Sequence, residues 1–479
     1  MNDLPLLPRR RLTSVASCIV LGWALSGCAL TRVDPPAPAA PPAAFKEQGL
    51  WVQAGQQTDA ETAAPDAWWQ QFNDPVLNDL QARLVVGNEN LRAALAQVDA
   101  ARAALGLSRA AQVPTVAATL EGDRSRSVAT GSTPSTLKNS VALSGSATWE
   151  LDLWGRLSHA TEAAQARYQA SADDLAAVRL SAQATLTQTY LALRAAEAQQ
   201  ALYERTVMVY QRSLELTQAR YQAGVAPQTD VLQAQTQLKT AQVQSLDAAA
   251  QRAQLEHAIA VLLGQPPSGL ALDRTAALPT PPAVPRFVPA TLLERRPDIA
   301  AAERRVAAAY AQIGVARAGY FPDLTLSATG GYRGSGLSQL LTAPHLFWSF
   351  GPALAQKIFD GGATRAASEQ AQANADQASA TYRQTVLTAL QEVEDNLVLA
   401  DQLSREAALQ REALQAAQRN LEITQNQYRV GTVGYLNVVT AQAAALTSER
   451  SLLDVQARQI NAVNQLLKNL AGRWARVPE

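Results

Sequence analysis

From Val141 to Leu153 the chain alternates. Val141, Leu143, Gly145, Ala147, Trp149, Leu151 and Leu153 are separated by Ala142, Ser144, Ser146, Thr148, Glu150 and Asp152. A period of two puts the two sets on opposite faces of a β-strand, and a run of this length suffices for a tilted strand to cross a bilayer. Val116, Ala118 and Leu120 alternate in the same way with Thr115, Thr119 and Glu121. Further along, Leu324, Leu326 and Ala328 alternate with Thr325, Ser327 and Thr329, and a less regular run surrounds Leu346, Trp348 and Phe350. Polar links, Gly122 to Asn139 and Gly330 to Pro344, join the members of each pair.

Elsewhere the apolar spacing is helical. Arg156 to Ala223 and Ala363 to Val430 are each 68 residues without glycine or proline. At about 1.5 Å per residue such a helix reaches about 100 Å. Its apolar stripe steps by three and four, through Val207, Tyr210, Leu214, Thr217 and Tyr221 in one segment and Leu414, Ala417, Leu421, Thr424 and Tyr428 in the other. This is a coiled-coil seam. The return helix, Gln228 to Leu263, has about half that reach. An opening helix near Asp74 to Ala111 supplies the missing length by stacking on its end.

The two sets of elements are copies. Gly106, Arg109 and Pro114 recur as Gly314, Arg317 and Pro322 at a spacing of 208, and Tyr221 and Gly224 recur as Tyr428 and Gly431 at 207. A repeat this long makes the chain an internally duplicated unit of helix, two strands, long helix and return helix. The predicted division is a signal segment at 1–27, a tether and equatorial segment at 28–74, a first repeat at 75–265, a linker at 266–291, a second repeat at 292–472 and a tail at 473–479. The fold class is mainly α with a membrane β part.

Four strands cannot close a barrel, and hydrocarbon does not tolerate an open sheet edge. If these strands span a membrane, the chain must oligomerise. The alternative is a soluble sheet of two hairpins packed on the helices. Aromatics near the strand ends, Trp149, Trp154, Phe347, Trp348 and Phe359, favour the membrane.

Composition narrows the chemistry. Basic and acidic residues number 41 each, which gives no reason to expect nucleic acid as a partner. Cysteines are limited to Cys18 and Cys28, and histidines to His159, His257 and His345, so a metal site or a thiol nucleophile has almost nothing to be built from. Gly330 to Gly336 is glycine-rich but lacks the Gly-Lys-Ser/Thr ending of a phosphate loop. The N-terminus carries Arg9, Arg10 and Arg11, then an apolar stretch from Leu12 to Leu25, which is a secretory signal. It ends in Leu25-Ser26-Gly27-Cys28, which resembles a bacterial lipobox and implies cleavage before Cys28 and acylation of that cysteine. The proline- and alanine-rich run Pro35 to Ala44 reads as an extended tether.

Four further stretches carry a resemblance. They are Trp68-Trp69-Gln70-Gln71-Phe72-Asn73-Asp74-Pro75, Leu292-Leu293-Glu294-Arg295-Arg296-Pro297-Asp298-Ile299, Tyr221 to Pro227 with Asp230-Val231-Leu232, and Phe359-Asp360-Gly361-Gly362. In this order the chain resembles the TolC-like outer-membrane efflux family, most of all its lipidated, NodT- or OprM-type branch. The resemblance implies a homotrimer whose twelve strands share one β-barrel above a trimeric α-barrel of twelve helices. It implies a passive exit duct in the outer membrane that takes small molecules from an inner-membrane pump, of the RND type, through a periplasmic adaptor. It implies no enzyme activity and no cofactor beyond the lipid on Cys28. The alternatives are a duct for type I protein secretion and, in another class, a periplasmic coiled-coil adaptor or structural lipoprotein.

In such a channel the helix turns form the gate and the adaptor-docking tip. Carried over, these are Ala223 to Thr229, with Gly224 and Val225, and Val430 to Asn437, with Gly431, Thr432, Val433 and Gly434. Gly224 and Gly431 suit a reversal that needs positive φ. Tyr435 and Asn437 are either constriction residues or the start of a helix. Asp230 is either an aperture carboxylate or a helix-start charge favoured by the dipole. The second turn lacks the acidic residue usual in the family, so an acidic ring there is not expected. Arg295 and Arg296 are expected to pair with carboxylates, and Pro297-Asp298 to begin a helix.

Overall fold

A computed structural model describes residues 42–47, 49, 67–129, 131, 134–284 and 296–470. The signal segment, Cys28, the tether up to residue 41, Arg295 and the tail from 473 lie outside the described residues. The order of elements is α1 (Pro75–Gly87), α2 (Glu89–Ala110), β1 (Thr115–Arg126), β2 (Leu137–Leu151), α3 (Arg156–Gln222) and α4 (Gln228–Leu262). After these come α5 (Pro297–Ala318), β3 (Asp323–Gly334), β4 (Leu346–Ala355), α6 (Ala363–Arg429) and α7 (Tyr435–Leu470). Among the described residues no helix is long and apolar enough to cross a membrane.

The opening helix is not continuous. Asp74 caps α1 by accepting from the Val76 and Leu77 amides at 2.9 and 3.2 Å, with Pro75 at the first helical position. Asn88 then interrupts the run in an extended conformation, φ −70° and ψ 120°. Its side chain accepts from the Leu91 amide at 3.0 Å, restarting the helix as α2, and donates to the Leu262 carbonyl at 2.7 Å. The break therefore fastens the opening helices to the end of α4. Gly87 and Gly264 meet there backbone to backbone: a Cβ on either would overlap the other segment's carbonyl group.

The long helices α3 and α6 are 67 residues each, one fewer than their glycine- and proline-free runs. Both stop in the same way. Gly224 has φ +75° and Gly431 φ +83°. The Val225 amide returns to the Arg220 carbonyl and the Gly224 amide to Tyr221, and Thr432 and Gly431 repeat the pattern with Gln427 and Tyr428. This is the 6→1 and 5→2 pairing of a Schellman turn. The seam holds through Tyr210, Leu214 and Thr217, all buried. Tyr221 departs from it and is 45% exposed, although its counterpart Tyr428, likewise one residue from the end of its helix, is buried.

The four strands form one antiparallel sheet in the order β1-β2-β3-β4. They run further than the alternation alone indicates. Gly122 to Arg126 and Leu137 to Asn139 are paired, and Gly330 to Gly334 belongs to β3, so the links are shorter than expected. The ladder continues where the residues turn polar because backbone pairing does not depend on side-chain hydropathy. Register also resolves the irregular fourth strand. Cross-strand partners share a face, so Leu346, Trp348, Phe350, Pro352 and Leu354 join Tyr332, Gly330, Ala328, Leu326 and Leu324. These lie on the same face as Leu143, Gly145, Ala147, Trp149 and Leu151, and as Leu120, Ala118 and Val116. The opposite face carries Thr115, Thr119, Glu121, Ser144, Ser146, Thr148, Thr325, Ser327 and Thr329.

By contacts the chain divides into two compact units, and each draws on both repeats. One contains Gln97–Ser171 and Ala302–Tyr382 and holds the sheet with the adjoining helix segments. Trp154 stacks on Phe321 there at 4.8 Å and donates to the Pro322 carbonyl at 2.7 Å, and Arg156 forks onto Glu150. The other contains Ala172–Ala301 and Arg383–Glu479 with the segment before Ala96, and holds the larger apolar core around Trp68, Leu77, Leu84, Leu186, Leu193, Ile259 and Leu467.

Replacing Gly264 with alanine is predicted to cost about 1–3 kcal/mol through overpacking against Gly87. Thermal melts of Gly264→Ala should show it, whereas Gly336→Ala, which points into open space, should melt like the parent. Equal melting temperatures for the two variants would contradict the close crossing.

Candidate functional site

The turns after α3 and α6 sit on a small core of their own. Tyr210 and Leu214 of α3, Val231, Ala234 and Leu238 of α4, Tyr428 of α6, and Tyr435 and Val438 of α7 pack together there. Gly224, Val225, Gly431, Thr432, Gly434 and Asn437 are exposed around it, and Val433 is half-buried against it. Gln228 and Thr229 already belong to α4, and Tyr435 to Asn437 to α7, so the turns proper are 223–227 and 430–434.

Tyr435 is only 2% exposed. Its ring lies 5.5 Å from that of Tyr428, and its hydroxyl is 3.1 Å from Ser213 Oγ. Of the two readings of this residue, its position is that of a helix-start group packed into the core, and burial pushes its phenol above the ordinary range. Asn437 stays at the surface, with its amide on the Gly434 carbonyl at 3.2 Å.

Sequence reasoning missed the clasp that joins the two helical hairpins. Arg220 Nη1 donates to the Tyr428 carbonyl at 3.0 Å, and the guanidinium carbon stands 4.6 Å from the centre of the Tyr428 ring. Arg220 Nε and Tyr428 Oη are buried without a hydrogen-bond partner. Asp230, in the first turn of α4, is half-buried; burial raises its carboxyl, and the nearby Arg220 charge offsets part of that rise. A signal was present in the repeat. At a spacing of 207, Arg220 corresponds to Gln427 and Asp230 to Asn437. Conversely, Arg429 before the second turn corresponds to the neutral Gln222, so the two turns carry their charges at different positions.

A second set of polar groups lies in the larger core. Arg194 donates to Glu197 at 2.6 Å and to the Asp273 carbonyl at 2.9 Å; Arg252 donates to Glu197 at 3.1 Å and to the Leu272 carbonyl at 2.7 Å. Glu256 Oε1 accepts from the Leu272 amide at 2.7 Å, and Glu197 from the Thr275 amide at 3.1 Å. These charges strap the segment after α4 to the helices. Arginine and glutamate at i,i+3 and i,i+4 hint at the pairs, but periodicity cannot indicate which loop they hold.

Arg296, 7% exposed, pairs as expected: its fork meets Asp298 at 2.7 and 3.1 Å, and Nη1 meets Glu392 at 2.8 Å. Pro297-Asp298 does begin a helix, α5. Burial works to raise the Asp298 carboxyl, but the Arg296 hydrogen bonds and charge outweigh it and hold the group below its usual value. Nearby, Glu394 accepts the Lys46 and Glu47 amides at 2.7 and 2.9 Å, which docks the chain just after the tether. Among the described residues no group of three or more His, Cys, Asp or Glu could hold a metal ion.

A sheet with one apolar face and long helices ending in paired turns define an outer-membrane efflux channel of a Gram-negative bacterium. The chain belongs to the outer membrane efflux protein family, which it matches over residues 81–265 and 288–472. It is 33% identical over 466 residues to the antibiotic efflux pump outer membrane protein ArpC of Pseudomonas putida, covering 96% of each chain. It is similarly 33% identical, over 96% of each chain, to the toluene efflux pump outer membrane protein TtgC of the same species. The solved outer-membrane channel OprN superimposes with a TM-score of 0.85 at 31% identity, covering 93% of this chain and all of that one.

The low Asp298 carboxyl sets a pH dependence. Its folded value lies below its unfolded one, so the stability it contributes is present above about pH 4 and is lost as pH falls through the folded value. Arg296→Met should lower stability at neutral pH by about 1–3 kcal/mol, since water partly screens both carboxylates. It should also flatten the acid side of the stability profile between about pH 5 and pH 2. An unchanged acid limb, read by thermal melts across that range, would contradict the pairing.

Proposed function

We propose that three copies of this chain close one twelve-stranded barrel in the outer membrane, and that their twelve long and stacked helical rods continue it as a duct through the periplasm. The observation that carries this reading is the sheet. Its apolar face holds exposed large side chains, with Trp348 at 78%, and its outer strands β1 and β4 pair on one side only. Three sheets joined edge to edge pair every strand, as hydrocarbon demands. The repeated order of elements and the two matched family ranges support an internal duplication as the origin of the twelvefold count.

The duct performs no chemistry and holds no cofactor other than lipid on Cys28. A periplasmic adaptor docks at the turns 223–227 and 430–434, and an RND-type inner-membrane pump supplies the energy. The names of the ArpC and TtgC relatives, which concern an antibiotic and toluene, favour small molecules over protein as the cargo. At the tip, the Arg220–Tyr428 clasp holds the two hairpins of each copy together and so keeps the aperture narrow. Asp230, Thr432 and Asn437 face the opening, and Tyr435 supports them from within.

Single-channel recording of the purified mature protein in a planar bilayer should give discrete conductance steps, and Arg220→Ala should enlarge them or lengthen the open periods. A parent protein without steps would contradict the duct, and a variant indistinguishable from a conducting parent would contradict the clasp. Cys28→Ser should abolish labelling by radioactive palmitate; persistent labelling would contradict the lipid anchor.

A further inference from the structure

The charged residues of the strands are divided unequally between the two faces of the sheet. Cross-strand partners share a face, and by register Glu121, Asp123, Lys138, Glu150, Asp323 and Arg333 lie on the polar one. Two charges remain on the apolar face. They are Arg124, opposite Asn139, and Arg126, opposite Leu137, and both are exposed. An arginine that faces lipid is costly at the bilayer midplane and nearly free of cost at its interface. The height of these two residues therefore decides what they do.

Aromatic residues on the same face mark that height. Strand β1 leaves α2 at Thr115, and the arginines stand at its far end. Trp149 stands at the helix end, where its Nε1 donates to the Gln112 carbonyl at 2.9 Å. Trp348 and Tyr332 stand toward the far end. At the repeat spacing of 207, Trp348 corresponds to Val141, eight residues from Trp149 on β2. At about 3.4 Å per residue and a tilt of about 40°, that is about 20 Å along the bilayer normal, the scale of the apolar band between two aromatic girdles. At the spacing of 208, Tyr332 corresponds to Arg124 and Gly334 to Arg126. Equivalent residues of duplicated hairpins stand at one height, so the arginines begin at the outer girdle and continue one step beyond it, among headgroups.

The two side chains rise from paired backbone. Beyond Arg126 the Ser127 amide donates to the Thr136 carbonyl at 2.9 Å, and the Thr136 amide donates to Ser127 Oγ at 3.0 Å. Alternate residues of a strand are about 6.8 Å apart, which lets both guanidiniums reach one headgroup. Glu121 and Asp123, the acids nearest in the strand, are on the other face. Among the described residues no hydrogen bond or ion pair engages either guanidinium.

We propose that Arg124 and Arg126 bind the phosphate groups of the phosphorylated glycolipid that forms the outer leaflet of a Gram-negative outer membrane. The guanidinium fork matches a pair of phosphate oxygens. The position of the charges selects the glycolipid. The apolar face carries none at its helix end, around Trp149, Leu151, Leu324 and Leu354, whereas a site for phospholipid phosphate would have equal reason to occur at either end. This rests on the channel proposed above, which sets that face in lipid, and adds a ligand and its binding residues.

Native mass spectrometry of the mature protein in detergent, titrated with bisphosphorylated lipid A, tests it. The parent should bind this lipid at least about tenfold more tightly than dephosphorylated lipid A or phosphatidylglycerol, and Arg124→Gln/Arg126→Gln should lose that preference. Lys138→Gln removes a charge from a rung between the two arginines but on the polar face, and should bind like the parent. Equal affinity of the parent for the two forms of lipid A would overturn the proposal, even if the glutamine pair failed to assemble. So would an undiminished preference in the glutamine pair, a loss as large in Lys138→Gln, or a parent that prefers phosphatidylglycerol. Planar-bilayer recording of the same preparation separates the two readings. A conducting parent without the lipid A preference loses this site alone, and a parent that neither conducts nor assembles loses both.

Discussion

A backbone N–H or C=O that faces hydrocarbon without a partner costs several kcal/mol, and no side chain on a strand can relieve it. Everything distinctive about this chain answers that constraint. Its four strands gather their large apolar residues on one face and their serines, threonines and most of their charges on the other, as a wall between lipid and water requires. The same strands end in two edges that one copy has no means of covering. A sheet lying on a soluble core would turn its apolar face to the helices, and here Val116, Leu120, Trp348, Phe350 and Leu354 are all exposed.

The helices follow from the same geometry. In the duct proposed above, a wall of thin rods needs close approach between neighbours, and alanine along both edges of a helix permits it where leucine would not. The buried alanines of α3, at 163, 166 and 170, have that spacing. Polar clusters are confined to places where a segment must be tied down: Arg194, Glu197, Arg252 and Glu256 hold the strap after α4, and Glu394 holds the segment after the tether. At the tip the duplication is broken. Arg220 and Asp230 have the neutral counterparts Gln427 and Asn437, whereas Arg429 answers to the neutral Gln222, so the two turns carry their charges at different positions.

Much of this was legible in the residues. Both long helices, their glycine turns and the strand pairs were readable because each depends on local periodicity or on a positive φ that glycine alone takes easily. The break at Asn88 was not, because its reason lies in a hydrogen bond to Leu262 far along the chain. Tyr221 and Tyr428 occupy equivalent positions, yet one is exposed and the other buried, since the neighbouring hairpin reaches only the second. The fourth strand looked irregular because Phe347 interrupts its alternation; the ladder puts that ring on the polar face, 5.2 Å from the Arg333 guanidinium. Long-range pairing, not composition, decides such positions.

The account rests on the claim that a single copy is incomplete at its sheet edges. Multi-angle light scattering of the mature protein measures this directly, in detergent and after its removal. A mass three times that of the chain in detergent, with loss of soluble protein when detergent is withdrawn, is the predicted result. A monomeric mass that persists in detergent-free buffer would contradict the account.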